Sequence, residues 1–223
     1  GSQAGDGVNL SVISNQFLNL HDDSMNFLTG SSGEAAHNLM WRVNSGIAIL
    51  GSSAQPGDMF IHHNVIDTTA LRHGRRAGNY RADVWPVWNT DTPFSKHGGG
   101  NRAAWWKLYN NTIIARAVPY RTPMNPFSLD NNSNYCAVNN IFYAVDDRLI
   151  YRDHQIAHGG VYDGNILWQA KTGGPMIAYF GDGGSYRTLA AFQARQTGWE
   201  EHGRQIDPGF DLAEISKPDY SYP

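Results

Sequence analysis

Two adjacent carboxylates, Asp22 and Asp23, are the residues of this chain that most directly indicate acid–base chemistry. Cleavage of a glycosidic bond needs one carboxyl group that keeps its proton and another that has lost it. Repulsion between neighbouring aspartates can separate their pKa values in this way. Successive strand residues face opposite sides, so both side chains reach one groove only from the turn before the strand. The alternative is a solvated Asp-Asp turn that bonds backbone amides.

A second group of residues would suit an elimination reaction on a uronate sugar. Such a reaction needs a base beside the sugar carboxylate and a cation that neutralises it. The candidates lie in one irregular segment, residues 67–104, and in the stretch that begins at His21. We predict catalytic roles for Lys96, His97 and Arg102, and substrate-binding roles for His21, Arg72, Arg75, Arg76, Tyr80, Trp85 and Trp88. For each basic residue, the alternative is an ordinary solvated side chain.

Aromatic residues add a candidate sugar-stacking platform, because their rings give large contact area at low entropic cost. Its members are Trp85, Trp88, Trp105, Trp106 and Tyr109. The alternative is that these rings fill the protein core.

The sequence contains two groups of residues that could be considered as metal sites. His62 and His63 are adjacent, so as strand residues they would face opposite ways, and no carboxylate or third histidine stands at ligand spacing. The sequence therefore predicts no zinc site there. Ca²⁺ accepts scattered oxygen ligands, so it is kept as a candidate ion for Asp22, Asp23 and Asp130.

The elements that must position these residues form a repeat. The stretches His21–Gly30 and Asn44–Ser52 share a small polar start, an alternating centre and a small-residue end, and Asp22 and Asn44 are 22 residues apart. An offset of this length is typical of a solenoid. Regular alternation fails over residues 67–104 and returns at Trp105. One helix is predicted over residues 188–197, within a C-terminal helix and tail of residues 186–223.

Asparagine followed two residues later by an apolar residue marks the coil corners. The pattern occurs at Asn15, Asn64, Asn111, Asn140 and Asn165. The separations of 49, 47, 29 and 25 residues fit two coils for each of the first two intervals and one coil for each of the last two. Asparagine tolerates left-handed backbone, and its amides can bond along a stack. We therefore expect one column of asparagines, the alternative being separate hairpin turns.

Composition narrows the class of protein. The 223 residues suit a single domain, 1–223, and a net charge of −3 gives no case for a nucleic-acid partner. The single cysteine, Cys136, excludes an internal disulfide and is expected in the core. A charged fraction of 17% suits an extracellular or cell-surface protein. Neither a signal peptide nor an apolar run long enough to span a membrane is expected.

These features together resemble the right-handed parallel β-helix superfamily, the pectate-lyase-like proteins. The resemblance covers about residues 10–210, and it rests on the alternation, on the Asn-Asn-Thr-Ile and Asn-Asn-Ile-Phe corners, and on a closing helix followed by Asp207-Pro208-Gly209-Phe210. The Asp22-Asp23 stretch is similar in part to polygalacturonases, with Asn44-Ser45-Gly46 in place of their Gly-His-Gly element. The resemblance implies an all-β fold, a right-handed parallel β-helix with one short C-terminal helix.

Members of that superfamily are secreted polysaccharide lyases and glycoside hydrolases, and also phage tailspikes and adhesins. The expected function is therefore binding, and cleavage, of a polysaccharide along a groove between residues 21–30 and residues 67–104. The alternative is a structural or adhesive protein that self-associates through its coil ends. An uncapped first coil would favour that alternative, because solenoids need capped ends for solubility.

Overall fold

The computed structural model describes residues 2–4, 9–18, 20, 23–27, 32–43, 45–49, 58–68, 92–95, 105–115, 134–145, 151–152, 161–171, 173–180 and 184–215. Within these residues the chain is mostly β-strand. The strands are β1 Ser2–Ala4, β2 Leu10–Ile13, β3 Gln16–Leu18, β4 Asp23–Phe27, β5 Gly33–Ala36, β6 Leu39–Trp41, β7 Ser45–Ile49, β8 Met59–His62, β9 Val65–Thr68, β10 Thr92–Ser95, β11 Trp105–Tyr109, β12 Thr112–Ala115, β13 Asn134–Val138, β14 Ile141–Ala144, β15 Tyr151–Arg152, β16 Val161–Asp163, β17 Ile166–Gln169, β18 Ile177–Phe180 and β19 Gly184–Tyr186. The helices are α1 Leu189–Arg195 and α2 Leu212–Ile215.

Three parallel sheets contain most of these strands. The first sheet has the order β1-β4-β7-β10, the second β16-β13-β11-β8-β5-β2, and the third β17-β14-β12-β9-β6-β3. From β1 to β12 the chain visits the first, second and third sheets in turn and then repeats that order. A small sheet, β15-β18-β19, holds the antiparallel pair β18 and β19. The fold is all-β with parallel pairing, as the alternation predicts.

The predicted 22-residue repeat is present as a strand register. In the first sheet, β4 pairs in parallel with β7, and Asp23 lies opposite Ser45 while Met25 lies opposite Ile47. Side chains aligned in this way form rows across a sheet, because equivalent residues of neighbouring strands lie one above another.

The core lies on the inward face of these sheets. In β8, Met59 and Ile61 are buried, whereas Phe60 between them is exposed. The inward row of the second sheet continues from Ile61 through Leu108 to Ala137. Cys136, expected in the core, is only partly buried, because it precedes Ala137 on β13 and falls on the outward face.

An asparagine column runs along the corner between the second and third sheets, as predicted. Each Nδ2 donates to the Oδ1 of the next member at 2.9–3.1 Å, and each backbone N–H donates to the same oxygen. The members of this asparagine ladder are Asn15, Asn38, Asn64, Asn111, Asn140 and Asn165. At its end, Asn165 donates to both carboxylate oxygens of the buried Glu200.

The ladder corrects one of the predicted intervals. Asn38 divides the 49-residue interval into two steps of 23 and 26 residues, as the predicted two coils require. The prediction that the 47-residue interval contains two coils is wrong, because Asn64 donates directly to Asn111 and β9 pairs with β12. The residues between these two asparagines therefore add length without adding a ladder step, and the strand β10 lies within the segment predicted to be irregular.

The C-terminal region contains the predicted helix and one that was missed. The side chain of Thr188 caps α1 by accepting from the Ala191 N–H, and Gly198 follows with a φ of 86°. The short α2 lies in the predicted tail, so the prediction of a single helix is wrong. Neither helix in the described part of the chain is long and apolar enough to cross a membrane.

Candidate functional site

Most of the sequence-predicted site residues lie outside the described residues. These are His21, Asp22, Arg72, Arg75, Arg76, Tyr80, Trp85, Trp88, Lys96, His97 and Arg102, together with Asp130 of the candidate calcium site. Asp23 is the first residue of β4, where its backbone pairs with Ser45. The proposed roles of Asp23 and of the residues named above stay predictions.

A different group of polar side chains converges beside the asparagine ladder. The residue before each ladder asparagine turns the corner between the second and third sheets with a left-handed backbone. These corner residues are Ser14, His37, His63, Asn110, Asn139 and Gly164, with φ between 53° and 67°. Asparagine, histidine and glycine tolerate left-handed backbone better than most residues. The corner therefore limits which residue types occur there, but it does not require one particular side-chain function.

Two of the corners carry histidine, and a third histidine joins them from β8. The rings of His37 and His63 stack at a centroid distance of 5.0 Å, and the His62 ring lies 5.1 Å from that of His63 and 5.8 Å from that of His37. One ring nitrogen from each residue falls within 4.8 Å of the other two. We call His37, His62 and His63 the histidine cluster.

The structure overturns the expectation that His62 and His63 face opposite ways. Their Nδ1 atoms are only 2.8 Å apart. Strand alternation holds for His62, the last residue of β8, but His63 is a corner residue with a φ of 53°. The left-handed backbone turns the second side chain toward the first, and the turn between β5 and β6 supplies the third histidine that the sequence spacing concealed.

A carboxylate and a phenol flank His62. Glu34 Oε1 lies 2.6 Å from His62 Nε2, and the Tyr109 ring stacks on the His62 ring at 4.6 Å with an interplanar angle of 14°. On the other side of the cluster, Asn110 Nδ2 lies 3.4 Å from His63 Nε2. Burial raises the pKa of Tyr109, the Glu34 carboxylate raises it further, and Lys107 lowers it by less. Tyr109 is therefore protonated and neutral at physiological pH.

The cluster opens onto solvent. His62 is 9% exposed, whereas His37 and His63 are exposed. Glu34 belongs to an outward row of the second sheet that continues through Phe60 and Lys107 to Cys136. Lys107 Nζ lies 4.8 Å from the Phe60 ring centroid and 2.7 Å from Asp58 Oδ2. Burial raises the pKa of the Cys136 thiol, which is therefore a weak nucleophile at neutral pH.

Sequence reasoning missed Glu34 and His37. One signal was available, since the dipeptide His-Asn occurs at residues 37–38 and again at 63–64. Had Asn38 been recognised as a ladder member, the two histidines before Asn38 and Asn64 would have been predicted as neighbours. Glu34 carries no comparable signal, because its partner depends on the register of β5 with β8.

Comparison with known proteins does not assign a family. No family model matches the sequence, and neither the curated proteins nor the solved structures give a significant match. Function is therefore inferred from the residues and their geometry.

Proposed function

We propose that this chain is a right-handed parallel β-helix of the pectate-lyase-like kind that binds polysaccharide outside the cell. The observation that carries the fold is the repeated visit of the chain to three parallel sheets, with one ladder step per coil at the same corner. A structure in which each coil stacks on the one before requires this order. It also brings residues far apart in sequence onto one wall, as an extended ligand needs.

The outward row Glu34, Phe60 and Lys107 is the observation that carries glycan binding. Neighbouring strands of a sheet are about 4.8 Å apart, so these side chains form a line perpendicular to the strands. An exposed aromatic ring offers a stacking face for a sugar, and the flanking charged groups offer a hydrogen-bond acceptor and a donor for its hydroxyl groups. The row is thus suited to an extended and polar ligand.

Cleavage of the bound glycan is the second part of the proposal. It assigns acid–base roles to Asp22 and Asp23 and places Lys96, His97 and Arg102 beside the scissile bond. The segment of residues 67–104 supports this assignment by its position in the chain, because it connects β9 to β11, the strand that carries Lys107.

Binding can be tested with a panel of uronate and neutral polysaccharides in affinity electrophoresis. We expect Phe60→Ala to weaken binding roughly 2- to 10-fold, because a ring stacked on its ligand contributes about 0.5–1.5 kcal/mol. Ile206→Ala is the matched control, since Ile206 is an exposed apolar residue outside the three sheets. Equal affinity of Phe60→Ala and the wild type for every retained glycan would contradict the proposed row.

Cleavage is tested separately by assays for unsaturated products and for new reducing ends. Asp23→Asn and Lys96→Ala should each abolish product formation while leaving retention in the gel unchanged. Retention without any product from the wild type would remove the enzymatic part and leave the binding part.

A structural role is the second candidate function, and the end strands of the two long sheets favour it. Ile13 on β2 and Leu18 on β3 are 44% and 48% exposed. Edge strands pair readily with another chain. Sedimentation of the wild type as an oligomer, and of Leu18→Lys as a monomer, would support this function, whereas a monomeric wild type would exclude it.

A further inference from the structure

We propose that the histidine cluster, His37, His62 and His63, binds a divalent transition-metal ion of the Zn²⁺ class, with Glu34 orienting His62. Imidazole nitrogens are preferred ligands of such ions. This inference does not require the proposed glycan binding, because the three ligating histidines lie outside the outward row and the test is a different one, although Glu34 takes part in both proposals. Within the described residues, this is the one group of three or more histidine, cysteine or carboxylate side chains whose ligand atoms converge.

The nitrogen atoms are near the separation that a tetrahedral ion requires. Zn–N bonds of 2.0–2.1 Å imply nitrogen–nitrogen distances of about 3.3 Å in a tetrahedral site. The Nδ1 atoms of His62 and His63 are 2.8 Å apart, and the three ligand nitrogens lie within 4.8 Å of one another. Shifts of about half an ångström to an ångström and a half would reach that geometry. The exposed rings of His37 and His63 have room to make them.

Glu34 fixes which nitrogen of His62 faces the ion. Its carboxylate lies 2.6 Å from His62 Nε2, so it accepts the Nε2–H bond and leaves the lone pair on Nδ1. A carboxylate that accepts from the second nitrogen of a ligating histidine is the usual partner in such sites, because it sets the tautomer and raises the basicity of the ligand. The stacked Tyr109 ring limits rotation of the His62 ring.

A hydrogen-bonded histidine chain is the competing interpretation of the same geometry. In that chain Asn110 Nδ2 donates to His63 Nε2, His63 Nδ1–H donates to His62 Nδ1, and His62 Nε2–H donates to Glu34. Metal binding requires His63 to carry its proton on Nε2 instead, with the Asn110 amide rotated to accept it. The ion then takes the place of the proton between His62 and His63.

Three protein ligands leave a fourth coordination position, which faces solvent beside two exposed rings. A structural zinc site is closed by four protein ligands, whereas a site with three keeps a position for water or another ligand. The cluster is therefore suited to hold an exchangeable ligand on the ion.

The left-handed corner backbone suggests variants that remove an imidazole without straining the backbone. Asparagine occupies the equivalent corners at Asn110 and Asn139 with a φ of 55° in both, so His37→Asn and His63→Asn remove an imidazole while keeping a residue that this backbone accepts. Glu34→Gln keeps the shape of the side chain that contacts His62 Nε2 and removes its charge. His202→Ala is the matched control, because His202 is an exposed histidine paired with Asp163 on another strand.

The experiment is calorimetric titration of the full, tag-free and chelator-treated chain with Zn²⁺, and with Co²⁺ to read the coordination geometry by visible absorption. We expect one ion per chain, a tetrahedral Co²⁺ spectrum, and affinity weakened about 10- to 100-fold by Glu34→Gln. His37→Asn and His63→Asn should each lower the affinity at least as much, and His202→Ala should leave it unchanged.

Two results would overturn the proposal. The first is the absence of saturable binding below about 1 mM Zn²⁺, which would exclude the metal site and leave the hydrogen-bonded chain as the interpretation of the cluster. The second is binding that survives both His37→Asn and His63→Asn, which would place the ion elsewhere. Circular dichroism of each variant shows whether it is folded, so a loss of affinity cannot be confused with a loss of structure.

Discussion

The asparagine ladder makes a prediction whose size follows from its geometry, and Asn111→Ala tests it. Asn111 is 1% exposed. Its Oδ1 accepts from the backbone N–H and from the Nδ2 of Asn64 at 3.1 and 3.0 Å, and its Nδ2 donates to Ile61 O and Asn140 Oδ1 at 2.9 Å each. Alanine removes all four hydrogen bonds at once and leaves the partners in place.

The cost arises from the donors that lose their acceptor. The backbone N–H of Asn64 and one proton of its side-chain amide are left buried, and Asn64 itself is 1% exposed. A buried unsatisfied donor costs about 1–3 kcal/mol. Two of them lower the free energy of unfolding by about 2–6 kcal/mol, a large share of the roughly 5–15 kcal/mol that stabilises a typical domain.

The assay is urea unfolding, with Asn15→Ala as the control. Asn15 is exposed at the other end of the ladder, so water replaces its hydrogen bonds and we expect a loss below about 1 kcal/mol. With a slope of about 3 kcal/mol/M, the midpoint of Asn111→Ala should fall by about 0.7–2 M. Similar midpoints for the two variants would refute the idea that burial gives the ladder its energetic value.

Three further predictions concern the ladder end, an ion pair and a close approach of two strands. Glu200→Gln places an amide donor against the last ladder amide and should cost about 1.5–3 kcal/mol in the same assay, and an unchanged midpoint would contradict the proposed cap. Hydrogen bonding to Asp163 raises the pKa of His202 above 6.5, so this pair stabilises the fold below pH 6.5 and the contribution is lost as the pH rises through the folded pKa. NMR titration should show the His202 pKa falling toward 6.5 in Asp163→Asn, and no change would exclude the pair. Gly33→Ala would place a Cβ against Leu10 O at a φ of 141°, and should cost about 1–3 kcal/mol in thermal melts, whereas a wild-type melting temperature would contradict the close approach.

The regular parts of the fold could be predicted because they are encoded locally. Alternation identified strands such as β11 and β12, and the 22-residue offset between Asp22 and Asn44 reappears as the register of β4 with β7. The asparagine pattern succeeded because a buried corner needs a side chain that both donates and accepts, and few residue types satisfy that need.

The interval from Asn64 to Asn111 could not be predicted, because a repeat period gives no means to distinguish two coils from one coil with a long insertion. Direct pairing of β9 with β12 decides it, and that pairing is a long-range contact. The histidine cluster could not be predicted from the sequence, for a related reason. Its members come from the turn after β5 and from the end of β8 with the turn that follows it, and the sequence gives the face of His63 only if its backbone is known to be left-handed.

The two positions at each corner differ in what they permit, and this difference explains why a site can form there. Except at the exposed Asn15, the ladder position is buried. It must supply two donors and an acceptor, and it is asparagine in every step described. The corner position before it must only tolerate left-handed backbone, and its side chain is free to vary among serine, histidine, asparagine and glycine.

Histidine is one of the residue types enriched in that region. When the corners that follow the paired strands β5 and β8 both carry histidine, the spacing of parallel strands stacks the two imidazoles without further adjustment. A strand-end histidine beside them completes three ligands. The histidine cluster is thus a consequence of the same corner geometry that builds the ladder.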